Sequence, residues 1–117
     1  MTWAKLDDSF HSHPKVRTAW YQCSASIGLH AMAITFAADH ETDGVVPGWF
    51  VAGAFRKPAE LKAAVSALIE SGMWEQRDED FLIHDFLDYH PSKRALEKKR
   101  KEEAERKRRE RGEAMSA

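Results

Sequence analysis

The chain is 117 residues long, with 43% hydrophobic residues, four Trp, one Cys and a formal net charge of −1. That length accommodates one small domain with one core and argues against a second. The single Cys23 excludes an internal disulfide and a CxxC metal knuckle, and fits a reducing cytosol.

The near-zero charge conceals a dipolar molecule. Met1 to Ser92 carry 7 Lys plus Arg against 13 Asp plus Glu, net −6, whereas Lys93 to Arg111 carry 11 against 5, net +6. The expected organisation is a folded body over residues 1–92 and a basic arm over 93–117, helical or disordered, too polar to bury a core of its own. The longest mainly apolar run, IGLHAMAITFAA from Ile27 to Ala38, falls short of the roughly 20 residues a bilayer span needs. The first residues show no charged-then-apolar signal pattern, so a cytoplasmic protein without membrane contact is expected.

In chain order, TWAKLDDSF fits a short strand or extended lead-in ending near Asp7 and Asp8. HSHP follows as a helix start, with Pro14 at a first-turn position and Ser12 or His13 where a cap belongs. From Val16 to His40 apolar residues recur at threes and fours, which predicts the central buried helix; Gly28 marks either a close crossing or a break in it. Asp43–Gly44 forms a turn, Val45–Val46 a minimal strand, and Pro47 starts a two-turn helix over Gly48 to Phe55. Lys57–Pro58 starts another helix, whose stripe is Leu61, Val65, Leu68 and Ile69, and Gly72 sits where a left-handed cap ends it. MWEQR and FLIHDF around Asp78, Glu79 and Asp80 predict a β-hairpin that packs through Trp74, Phe81, Ile83 and Phe86. Trp3, Trp20 and Trp74 all lie on apolar stripes and are expected in the core. This order predicts an α+β fold, a small winged helix made of a helix-turn-helix and a hairpin wing, with a basic C-terminal helical arm.

The stretches WAKLDDSFHSHPKV, DGVVP, LKAAVSALIESGMWE and FLIHDFLDYHPSKRALEKKRKEEAERKRRER, in that order, resemble the N-terminal winged-helix domain of phage replisome organisers, the DnaD-like replication initiators. The layout is also similar to short proteins of actinobacteria and their phages. The resemblance implies a domain that binds DNA during replication initiation and often self-associates. Organisers usually continue past the arm into a domain that binds single strands or recruits the helicase loader; with the chain stopping at Ala117, helicase loading is not expected.

Clustered Lys and Arg are what phosphate contacts and counterion release require. Arg56, Lys57, Lys62 and Ser66 are the candidate DNA contacts of the helix-turn-helix, with Arg56 and Lys57 placed to hold a phosphate at a helix start. In the arm the candidates are Lys93, Arg94, Lys98, Lys99, Arg100, Lys101, Arg106, Lys107, Arg108 and Arg109. Sequence preference should be modest, since the second helix has few long donors for base edges. The arm also admits two other readings: a solvated helix held by Glu97–Lys101, Glu102–Arg106 and Glu103–Lys107 pairs, or a clamp onto the acidic body. No sustained a/d seam supports a coiled coil.

The rival function is a protein-protein module that dimerises or docks on a replication or host factor through Trp49, Phe50, Ala63 and Ala67. The acidic wing favours it, because Asp78, Glu79 and Asp80 would repel a phosphate backbone. No metal site is expected, since the scattered His11, His13, His84 and His90 lack ligand spacing. GxxxxGK and GxSxG are absent and Cys23 lies in an apolar helical pattern, so neither a cofactor nor catalysis is expected. With the resemblance, the expected role is in replication initiation or in transcriptional control of a mobile element.

Overall fold

A computed structural model describes residues 3–116, with the side chains of Tyr89 and of residues 113–116 outside the description. After a 3-10 turn at Phe10–Ser12 come α1 (Pro14–Gln22), α2 (Ala25–His40), β1 (Val45–Val46), α3 (Gly48–Ala52), α4 (Pro58–Glu70), β2 (Trp74–Arg77), β3 (Asp80–Ile83), α5 (Phe86–Tyr89) and α6 (Lys93–Ser116). The strands form one antiparallel sheet in the order β1-β3-β2, so the fold is α+β. Val45 pairs with Leu82 and Trp74 with Ile83, which places β3 at the centre.

Alternation along β3 turns Phe81 and Ile83 to one face, where they meet Trp74 from β2 and Val46 from β1. Leu29, Ala33, Ile34 and Ala37 of α2, Ala64, Ala67 and Leu68 of α4, and Val16 and Ala19 of α1 complete the core. The many alanines let α1, α2 and α4 approach one another closely.

The lead-in from residue 3 forms no strand; Met1 and Thr2 lie outside the described residues. Its backbone finds a side-chain partner instead: the Lys5 N–H donates to His90 Nε2 at 2.8 Å. Trp3 is therefore exposed rather than in the core.

The predicted long helix is two, and the break falls at Cys23–Ser24 rather than at Gly28. Cys23 is extended and its N–H closes α1 on the Ala19 carbonyl, which also accepts from the wholly buried Ser26 hydroxyl at 3.2 Å. A Cβ at Gly28 would meet nothing within 4 Å, so that glycine serves no crossing. The break rotates α1 against α2, leaving Trp20 half exposed under the Arg17 guanidinium instead of in the core, and Met32 turns outward as well.

The α2–β1 corner is built on left-handed backbone at Glu41, Asp43 and Gly44, with φ of 54°, 57° and 90°. At Gly44 a Cβ would stand 2.7 Å from the Phe86 Cβ, so glycine is required for both conformation and space. Gly72 ends α4 at φ 85°, as its position predicts. The hairpin turn is Asp78–Glu79, with Asp80 belonging to β3.

Two buried histidines tie elements together. His30 Nδ1 accepts from the Trp74 indole N–H at 2.9 Å, joining α2 to β2. His90 packs on Phe86, and its Nδ1 lies 3.2 Å from the Phe86 carbonyl while its Nε2 takes the lead-in. Burial pushes the His30 pKa down to about 4 and lowers that of His90, so both are neutral in the fold.

Candidate nucleic-acid interface

The arm is one continuous 24-residue helix, α6, about 36 Å long at 1.5 Å per residue. Ser92 starts it, its hydroxyl accepting from the Ala95 N–H at 3.1 Å and its carbonyl from Leu96 N–H at 3.0 Å. The radius of gyration is 18.6 Å, where a globular chain of this length has about 13 Å, because α6 projects from the body.

Among the described residues, the body holds α6 only at its root. Asp43 accepts from the Lys93 backbone N–H at 2.6 Å, and Glu41 receives the Arg100 guanidinium through both carboxylate oxygens. The half-buried Leu96 lies between these anchors. Hydrogen bonding from Arg100 holds the Glu41 carboxyl below its ordinary range, and the same pair raises Arg100. Of the arm residues proposed to meet DNA, Arg100 is thus already engaged by a carboxylate.

Beyond that root the side chains are exposed through Gly112. At about 100° per residue, Arg94, Lys98, Lys101, Arg108 and Arg109 gather on the side opposite Leu96, with Glu102 and Glu105 among them. Lys93, Arg100 and Lys107 fall toward the Leu96 side, while Lys99 and Arg106 flank it with Glu103 and Glu110. The expected Glu97–Lys101, Glu102–Arg106 and Glu103–Lys107 bridges are not formed among the described residues; Arg106 instead approaches Glu110 at 3.7 Å. Among the described residues, the cations of the outward stripe form no ion pair.

Arg56 and Lys57 are exposed in the α3–α4 turn, and Lys62 is exposed on α4. Ser66 is half-buried. Ala67, expected on the open face of this helix with Ala63, is wholly buried, because α4 turns Ala64, Ala67 and Leu68 to the core while Leu61, Val65 and Ile69 stay partly covered. Ala67 is thereby removed from any interface, and Ala63 remains exposed. No hydrogen bond or ion pair joins Arg56, Lys57, Lys62 or Ser66 to the arm among the described residues. The sheet register places the arm root beside Gly44 and Ile83, and the hairpin turn beside Gly48 at the other end of β3.

The hairpin's acids are partly consumed by the fold. Asp80 accepts from the Gly48 N–H at 2.9 Å, and Glu75 lies 3.5 Å from Arg77, the one cation of that hairpin. Gly48 has no room for a Cβ against the Glu79 carbonyl, so the turn packs directly on the start of α3. Asp78 and Glu79 stay exposed.

Trp49 is 71% exposed and stands edge-on to Phe36 at 5.7 Å, while Phe50 is half-buried 4.5 Å from the same ring. His40 stacks on Phe36 at 4.1 Å, which carries this aromatic patch along α2 to Glu41 and the arm root.

Among the described residues no three His, Cys, Asp or Glu side chains are grouped to hold a metal ion, and no helix is long and apolar enough to cross a membrane. His84 and Asp85 are hydrogen-bonded at 2.8 Å where β3 ends. Glu41 and Asp43, which orient the arm, were not visible as anchors in the sequence; the acidic ETDG stretch was their only trace. No protein-family model, no curated protein and no solved structure matches the chain.

Proposed function

We propose that the chain is a small winged-helix protein that binds duplex DNA mainly through phosphate contacts, in replication initiation or in transcriptional control of a mobile element. The element order and the β1-β3-β2 sheet support the winged-helix reading, with α3 and α4 as helix-turn-helix and β2–β3 as wing. The observation that carries DNA binding is the outward stripe of α6, exposed, cationic and braced at its root by Glu41 and Asp43. From Arg94 to Arg109 the stripe runs about 22 Å at 1.5 Å per residue, roughly two thirds of a turn of B-DNA, so its cations can reach several phosphates. Arg56, Lys57 and Lys62 add contacts from the body. α4 offers Lys62 as its one cation and the wing tip is acidic, so base readout is weak and phosphate affinity dominates.

A second reading rests on the Trp49, Phe50 and Phe36 patch. An exposed tryptophan backed by stacked rings suits a protein partner or a homodimer face.

A version ending at Ser92 separates the two. With a fluorescent random duplex at several salt concentrations, the full chain should bind with a slope of log K against log salt of about −4.5, about five phosphates neutralised. The shortened version should lose this binding and keep its oligomeric state. Equal binding by both, or none by either at low salt, would contradict the DNA reading.

A further inference from the structure

Beneath the lead-in lies a cavity of about 90 Å³, with Phe10, Ile34, Met73, Ile83 and Phe86 forming its apolar lining and His30 part of its wall. His30 is 6% exposed, and Phe10 stacks over its ring at 5.9 Å. The Trp74 indole nitrogen can only donate, so its 2.9 Å bond to Nδ1 requires the lone proton of the neutral ring to sit on Nε2. No described residue accepts a hydrogen bond from that Nε2–H. Yet every sealed side-chain nitrogen or oxygen among the described residues has a partner. His30 Nε2 therefore opens onto reachable space, and the cavity is the space that His30 lines.

Lys5, Asp7, Ser9 and His13 also line this space, and some of its polar groups are already engaged. His90 spends both ring nitrogens on the Lys5 N–H and the Phe86 carbonyl, and the Lys15 ammonium lies 3.9 Å from Asp85 at the rim. At His30 itself the space offers an uncharged ring among the apolar side chains of Phe10, Ile34 and Phe86, which suits a neutral acceptor.

We propose that this cavity binds a small uncharged molecule, largely apolar and of roughly four to six heavy atoms with part of it in the open mouth, whose single acceptor oxygen receives the His30 Nε2–H. The class comprises small ketones and cyclic ethers. The site is independent of the arm, so its occupancy does not require DNA binding.

The test uses the full chain, labelled with ¹⁵N, and two probes of one shape: cyclopentanone, which has the acceptor, and methylenecyclopentane, which lacks it. Cyclopentanone should produce saturable shifts at His30 Nε2 and at the Phe10 and Phe86 rings, leaving the α6 amides beyond Arg100 unmoved. It should bind about tenfold more tightly than its isostere, which leaves the buried donor unpaired. Absence of a saturable shift at His30, or equal binding of the two probes, would overturn the assignment.

Discussion

Replacing Trp74 by alanine should cost the fold about 3–5 kcal/mol, the range for deleting a buried aromatic side chain. Trp74 is 2% exposed, tilts against Phe81 at 5.5 Å, and supplies the N–H that satisfies His30. Its removal would open a void at the meeting of sheet and α2 and leave a buried imidazole acceptor without a donor. Domains of this size hold only about 5–15 kcal/mol in total, so much of the stability would vanish. Urea unfolding should show a lower midpoint with an unchanged slope. Trp74→Phe keeps most of the packing and drops the N–H, and should cost less; equal losses for the two variants would contradict this account of the site.

Acid should weaken the fold well above the carboxylate range. His30 has an ordinary value of 6.5 and is pushed by burial to about 4 in the fold. Below pH 6.5 the unfolded chain takes up a proton that the folded chain refuses, so the stability present above pH 6.5 is lost as pH falls toward 4. The full difference is about 3 kcal/mol at 1.36 kcal/mol per unit. His90, also lowered chiefly by burial, acts in the same direction. Urea midpoints measured between pH 7 and pH 4 should fall through this window, and a His30→Gln variant should flatten the dependence. A wild-type midpoint that stays level down to pH 4.5 would contradict the neutral, buried His30.

Where local chemistry decides, the sequence was readable. Pro58 and Gly72 bracket α4 because proline needs no amide donor in the first turn and glycine tolerates the left-handed exit. Alternation at Phe81 and Ile83 identifies the buried face of β3, and Asp43–Gly44 marks the corner before β1. What escaped reading depends on residues far apart in the chain. The break at Cys23 is held by Ser26 bonding back to Ala19, a contact that competes with a continuous apolar stripe and rotates Trp20 to the surface. The rotation of α4 that buries Ala67 follows from close packing on α1 and α2, for which alanine carries no distinctive signal. In the candidate site the basic arm was plain from charge alone. Its bracing by Glu41 and Asp43 was not, because those anchors lie 59 and 50 residues from their partners Arg100 and Lys93.

That bracing leaves one face of α6 exposed, the face proposed to follow phosphates. The most direct measurement is duplex binding across a salt series by the full chain carrying Lys98→Glu, Lys101→Glu and Arg108→Glu together. These positions lie opposite Leu96 and away from the Glu41 anchor, so helix and body should persist, as circular dichroism would verify. The account predicts a salt slope shallower by about 3 and affinity reduced at least about tenfold at low salt. Unchanged affinity and slope in this folded variant would contradict the arm as a phosphate-binding element.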